Sequence, residues 1–134
     1  MKTYSKTILY VDDDADDIVM LRNTIGTLDT GHQIVTAPDG VHALALLKQM
    51  YHDDRLPCLI VLDINMPRMD GRQTLVSLQK DTALSSIPVV LFSTSSSSLD
   101  KSFCKAKKVE LITKPYRFQE LYSTANKLLS LCKA

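Results

Sequence analysis

No stretch of this sequence approaches the roughly 20 apolar residues that a membrane-spanning helix requires. The opening residues, Met1 to Lys6, are short and polar and hold no signal-peptide core. Lacking both features, the chain is expected to be cytoplasmic and without membrane contact. An excess of charge of one sign is also missing: 16 Lys and Arg stand against 15 Asp and Glu, a formal net charge of +1. That balance gives no general attraction to nucleic acid or to an anionic surface. Cysteine is scarce. Cys58, Cys104 and Cys132 are odd in number, far apart and without a CxxC pair. Neither a disulfide framework nor a zinc site is expected from them, and they read as small apolar thiols at packed positions. No linker or internal repeat divides the chain, whose 134 residues suit one domain (1–134, core about 6–132) that buries a core without staples.

What is present is an alternation of short apolar runs and helical patterns. Ile8 to Val11, Ile34-Val35, Leu59 to Leu62 and Val89 to Phe92 are apolar, with a weaker run from Val109 to Ile112. Most are continuous, as strands are when both faces of a parallel sheet are covered. Between them, helical spacing links Ile18, Leu21, Ile25 and Leu28, then Leu44, Leu47 and Tyr51, then Leu75 and Leu78. Leu99, Phe103 and Ala106 form a weaker stripe, and Phe118, Leu121, Tyr122, Ala125, Leu128, Leu129 and Cys132 a clear one. Five βα units imply an α/β fold with a parallel sheet and helices on both faces. The Ser/Thr run from Ser93 to Ser98 follows a strand and reads as a mobile βα loop.

In open α/β sheets, ligands bind beyond the carboxyl ends of the strands. There the sequence places Asp12, Asp13 and Asp14 after the first run, Asp63 after the third, Ser93 and Thr94 after the fourth, and Lys114-Pro115 after the fifth. Carboxylates about 4 Å apart repel by about 4 kcal/mol near a protein surface, so gathering them needs an offset. A hard divalent cation provides one, typically held by one or two carboxylates, phosphate oxygens and water. A carboxylate can also attack phosphorus. Lys114 and the Ser93 or Thr94 hydroxyl supply a cation and a donor for phosphoryl oxygens. Each signal has an ordinary alternative. Asp12 to Asp17 can cap a helix, Lys-Pro can be a turn, and Ser93 can be structural.

Across nearly the whole chain the sequence resembles the receiver domain of two-component response regulators, the CheY-like superfamily. Ile8-Leu9-Tyr10-Val11-Asp12-Asp13 looks like that family's first strand and acidic pair. Leu62 to Gly71 matches its LDxxMPxMDG signature without a gap, and Asp39-Gly40 fits the turn before its second helix. Ile87-Pro88 to Ser93 and Thr113-Lys114-Pro115 resemble its fourth and fifth strands. The resemblance implies a flavodoxin-like (βα)5 fold, a doubly wound five-stranded parallel sheet in strand order 2-1-3-4-5. It implies Asp63 as phosphoacceptor and a Mg²⁺ (or Mn²⁺) ion on the Asp13 and Asp63 side chains and the Asn65 backbone carbonyl, with Asp12 acting through water. Ser93, Thr94 and Lys114 would bind the phosphoryl group, and a cis peptide would precede Pro115. The implied activity is that of a phosphorelay switch, not an enzyme acting on a separate substrate. Its partners would be a sensor histidine kinase or histidine phosphotransfer protein and an unidentified downstream protein, with no direct nucleic-acid binding.

The chain departs from the pattern at two places. Leu111 occupies the coupling position where the family often has an aromatic, and Lys107-Lys108 align with its usual Gly-Ala. The readout face is expected on the fourth helix, fifth strand and fifth helix. There Lys101, Lys105 and Lys108 follow helical spacing, either as a plain solvated helix face or as a basic stripe that would meet an acidic partner or the mate in a homodimer. The chain ends soon after the fifth helix, with no helix-turn-helix or output domain expected, and an excised receiver fits equally. A phosphorylation-silent binding module is the main alternative. An aspartate-dependent phosphohydrolase usually carries a second carboxylate where this chain has Asn65. A flavin binder needs a Ser/Thr/Gly loop where this chain has Asp12-Asp13-Asp14.

Overall fold

The computed structural model describes residues 4–28, 30–66, 68–94, 97–115 and 117–133, with Phe118 as backbone only. Pro67 of the acidic-loop signature, Ser95 and Ser96 of the serine run, and the Phe118 side chain of the last apolar stripe lie outside the described residues. Five strands alternate with five helices: β1 Thr7–Val11, α1 Ala15–Thr27, β2 Gln33–Ala37, α2 Gly40–His52, β3 Leu59–Asp63, α3 Gly71–Lys80, β4 Val89–Ser93, α4 Ser98–Lys107, β5 Glu110–Thr113 and α5 Phe118–Leu131. All neighbouring strands pair in parallel, in the order β2-β1-β3-β4-β5 implied by the family resemblance.

Burial explains why some strands were easy to read. Every residue of β1 and β3 is buried, because both have strand neighbours on each side and helices on each face. The edge strands β2 and β5 are only partly covered, so their apolar runs are short. Successive side chains of the central strands enter two separate cores. Leu9, Val11, Ile60, Leu62 and Leu91 pack with Ala43 and Leu47 of α2 and Leu75 and Leu78 of α3. Ile8, Tyr10, Leu59, Val61, Val90 and Phe92 pack with Leu21 and Ile25 of α1 and Ala125 and Leu128 of α5. Among the described residues, no helix is long and apolar enough to cross a membrane.

The structure corrects three readings of helical faces and loops. In α4 the inward residues are Asp100 and Cys104, with Phe103 half-buried, while Ala106 is exposed and Leu99 is 81% exposed. The Arg72 guanidinium of α3 hydrogen-bonds the Asp100 carboxylate and turns it inward. Leu99, one residue earlier on the helix, is thereby rotated outward. In α5, Tyr122 lies at the margin of the apolar stripe and is exposed. The serine run is not all loop: the Ser97 hydroxyl caps α4 by accepting from the Asp100 N–H at 3.1 Å, and Ser98 begins the helix.

Lys108, in one of the two positions aligned with the family's Gly-Ala, ends α4 in the left-handed region at φ 60°. Its N–H bonds the Lys105 carbonyl at 3.2 Å, and the Val109 N–H bonds that of Cys104 at 3.0 Å. A lysine pays a steric cost for this conformation that glycine escapes. Lys108→Gly should therefore stabilise the protein by about 0.5–1 kcal/mol, after allowing for the added freedom of the unfolded chain. The check is a shift of the urea midpoint to higher concentration with unchanged m-value.

Candidate functional site

The parallel sheet delivers its chemistry-bearing residues to one edge. Asp12 follows β1, Asp63 ends β3, Ser93 ends β4 and Lys114 follows β5. The strands are locked in register up to that edge, Asp63 opposite Phe92 and Ser93 opposite Thr113. The Lys114 N–H bonds the Ser93 carbonyl at 2.8 Å, which carries the β4–β5 pairing one residue further and aims the lysine over the strand ends.

Asp12 is completely buried. Its Oδ1 accepts from the Asp14 N–H at 2.9 Å. Its Oδ2 accepts from the Tyr10 hydroxyl at 2.6 Å and from Lys114 Nζ at 2.8 Å. The two readings of the acidic run thus divide between its members. Asp14 is the helix cap, accepting from the N–H groups of Asp16 and Asp17, whereas Asp12 faces the pocket. Asp13 is exposed, but one of its carboxylate oxygens lies with one each from Asp12 and Asp63 in a group within 4.8 Å of one another.

Lys114 Nζ is shared. Besides Asp12 it donates to Asp17 at 2.8 Å and to Asp63 Oδ2 at 3.2 Å. Asp63 Oδ1 accepts from the Asn65 N–H at 3.2 Å, and this bond fixes the carboxylate plane. Ser93 is buried beside this edge, and Thr94 is exposed at its rim. Leu111 is half-buried opposite Leu91 and packs into the core shared by α2 and α3, away from the acidic group. Pro115 borders a small cavity with Tyr10, Asp17 and Phe92. The Lys114–Pro115 peptide is trans, correcting the cis form implied by the resemblance. An X–Pro bond favours trans by only about 0.5–1 kcal/mol, and here the strand register already aims Lys114 without a kink.

The electrostatics are unbalanced. Burial and the charge of Asp12 together push the Asp63 carboxyl up to about 6, against the opposing pull of Lys114. Burial also opposes ionisation of Asp12, but the Lys114 and Tyr10 hydrogen bonds outweigh it and hold Asp12 below the ordinary carboxylate range. Burial alone would lower Lys114, yet its bonds to Asp12 and Asp17 keep it firmly protonated. Burial raises the Tyr10 phenol far above its usual value, so it remains a donor to Asp12. Three carboxylates, Asp12, Asp17 and Asp63, thus share one ammonium, and Asp13 adds a fourth beside Asp12 and Asp63. An all-oxygen donor set with surplus negative charge fits a hard divalent cation.

Two contributors were not read as site residues. Asp17 looked like part of a helix start, but one turn into α1 its side chain tilts back towards the N-terminus and over the strand ends. Tyr10 looked like core, which it is, except that its hydroxyl reaches Asp12. The loop carrying Asn65 is held by close backbone approach at Gly71, where any side chain would strike the Asp63 carbonyl. The Gly71 N–H bonds the Ile64 carbonyl at 3.1 Å, drawing the start of α3 against the end of β3.

The family described as the response regulator receiver domain matches residues 8–126. The response regulator Rcp1 of Synechocystis sp. is 36% identical over 92 residues, covering 67% of this chain and 63% of that protein, so less than two thirds of its length is matched. PilH of Pseudomonas aeruginosa is 32% identical over 124 residues, covering 92% of this chain and 97% of that one. The phosphorylated cyanobacterial phytochrome response regulator RcpA superposes with a TM-score of 0.84 at 32% identity, over 96% of this chain and 97% of its own. The Mn²⁺-bound form of Rcp1 superposes with a TM-score of 0.80 at 30% identity, over 92% of this chain and 91% of its own. By sequence and fold, the chain belongs to the response-regulator receiver family of two-component signalling.

Proposed function

We propose that this chain is a phosphoacceptor receiver in a two-component phosphorelay, acting in the cytoplasm, with Asp63 as the residue that takes the phosphoryl group. The observation that carries this reading is the position of the Asp63 carboxylate. It ends a buried central strand, 3.2 Å from Lys114 Nζ, with carboxylate oxygens of Asp12 and Asp13 beside it. Kinship with a protein crystallised in its phosphorylated form, and with another crystallised with Mn²⁺, supports it.

Asp63 attacks phosphorus through one carboxylate oxygen, and the phosphorus–nitrogen bond to a donor histidine breaks. The histidine leaves with the electron pair of that bond and takes up a proton. An acyl phosphate remains on Asp63. Asp13, Asp63 and the Asn65 carbonyl, with Asp12 acting through water, would hold Mg²⁺ or Mn²⁺, whose charge would offset that of the gathered carboxylates and phosphoryl oxygens. Lys114, already within reach of Asp63, pairs with one phosphoryl oxygen, and Ser93 or Thr94 donates to another. The donor is a sensor histidine kinase or a histidine phosphotransfer protein. The chain transduces a signal and turns over no separate substrate.

The modification adds charge to an edge whose cation is already over-subscribed, so Lys114 must redistribute its bonds among Asp12, Asp17, Asp63 and the phosphoryl group. Any conformation that places Ser93 and Lys114 better around the new group gains population. The surface that reads the change is α4, β5 and α5. There Leu99, Lys101, Lys105, Lys108 and Tyr122 are exposed and offer a basic rim with apolar points to an acidic protein partner or a second copy of the chain.

Incubated with acetyl phosphate and Mg²⁺, the wild type should gain one phosphoryl mass and Asp63→Asn should gain none. An adduct of equal yield on the variant overturns the assignment, and chelation of the metal should abolish the wild-type adduct.

A second expectation concerns stability without metal. Because the Asp63 carboxyl titrates near 6 when folded and near its ordinary value of 3.8 when unfolded, the folded state binds more protons between those values. Stability from this group therefore falls as pH rises towards 6, and the full penalty applies above that. In chelator at pH 7.5, Asp63→Asn should be more stable than wild type by about 1–3 kcal/mol. The difference should shrink towards zero as pH falls to about 4. Urea unfolding of both proteins across that range measures it.

A further inference from the structure

The end of the sheet opposite the acidic site carries a second cluster of ligand-type side chains. His32 immediately precedes β2, Cys58 immediately precedes β3, and Cys132 caps the C-terminus of α5. Cys58 Sγ, Cys132 Sγ and a His32 ring nitrogen all lie within 4.8 Å of one another. Cys58 and Cys132, far apart in the sequence, are free thiols that the fold makes neighbours.

The backbone fixes each member. The Cys58 N–H bonds the Thr7 carbonyl at 2.8 Å, and the Gln33 N–H beside His32 bonds the Lys6 carbonyl at 2.9 Å. The Lys133 N–H bonds the Cys58 carbonyl at 2.8 Å, which clamps the chain after α5 onto the start of β3 and sets Cys132 against Cys58. His32 Nδ1 lies 2.8 Å from the Thr30 hydroxyl. That bond orients the ring as an outer partner orients a metal-binding histidine.

We propose that His32, Cys58 and Cys132 form a second metal site, one for a thiophilic divalent ion such as Zn²⁺. With Zn–S near 2.3 Å and Zn–N near 2.0–2.1 Å, neighbouring ligand atoms of a tetrahedral site stand about 3.5–3.8 Å apart. The cluster needs only a small contraction to reach that. Two thiolates and one imidazole supply three ligands, and water takes the fourth position. Binding is not redox chemistry: each cysteine S–H gives its proton to solvent as a sulfur–metal bond forms, so two protons leave per ion. Lys6 lies near His32, Arg22 borders the same surface hollow, and Lys133 follows Cys132 in the chain. Their charge does not exclude the ion, because the two thiolates neutralise it. Sulfur and nitrogen donors discriminate against Mg²⁺, so the opposite ends of the sheet sort soft ions from hard ones. A bound ion ties the starts of β2 and β3 to the end of α5.

The test uses the full chain, fully reduced and stripped of metal, with excess Mg²⁺ present to fill the acidic site. Co²⁺ is added while the near-ultraviolet and visible absorption is followed. The expected result is a thiolate-to-cobalt charge-transfer band that saturates at one equivalent and is bleached by Zn²⁺. Zn²⁺ should also raise the thermal midpoint. Cys132→Ser, at a half-buried position, should lose about half the band, and His32→Gln should weaken Zn²⁺ binding about tenfold or more. Asp63→Asn should keep the band, which makes this outcome independent of the phosphoacceptor assignment. Absence of the band at saturating Co²⁺, in protein whose three cysteines all react as free thiols, overturns the proposal. So does a band left unchanged by Cys132→Ser.

Discussion

One ammonium group, that of Lys114, faces more negative charge than it can neutralise. It reaches Asp12, Asp17 and Asp63 at once, and Asp13 stands beside two of these. The parallel sheet forces this gathering, because all five strands run the same way and all their carboxyl ends meet at one edge. The fold tolerates the concentration by giving Asp12 three donors, from Tyr10, Asp14 and Lys114, while Asp63, also buried, has two, from Asn65 and Lys114. The carboxylate least content with its charge is the one that the family reading makes a nucleophile.

Much of the architecture was legible because each level of the sequence agreed with the others. Continuous apolar runs marked β1, β3 and β4, where burial on both faces removes any need for alternation. The edge strands β2 and β5 were weaker signals for the converse reason. The face of α4 was misread because a pattern rule treats Asp as outward and Leu as inward. Arg72, distant in sequence, reverses that by drawing Asp100 in, and no local pattern carries that information. Asp63, Asp12, Asp13 and Lys114 were legible as residues following strands. Asp17 was not, because its part depends on how a helical side chain leans.

The sulfur cluster shows the same limit more sharply. The rule that looks for closely spaced cysteines is a rule about local loops. Cys58 and Cys132 meet because α5 returns along the sheet and ends beside the start of β3, and His32 arrives because β2 lies two strands away on the same side. Only the strand order brings them together. The sheet therefore carries two unlike constellations at its two ends, oxygen-rich where strands finish and sulfur- and nitrogen-rich where they begin.

Tyr10 has a consequence outside the chemistry of phosphorus. The chain contains no tryptophan, so its near-ultraviolet signal comes mainly from tyrosine. The Tyr10 ring is fully buried, stands edge-on to Phe92, and donates its hydroxyl to the very oxygen of Asp12 that Lys114 also holds. A rigid, asymmetrically packed phenol is a strong chiral chromophore, and any redistribution of charge around Asp12 changes its hydrogen bond. The molecule thus contains its own optical probe, and near-ultraviolet circular dichroism can follow events at the acidic edge with no label attached.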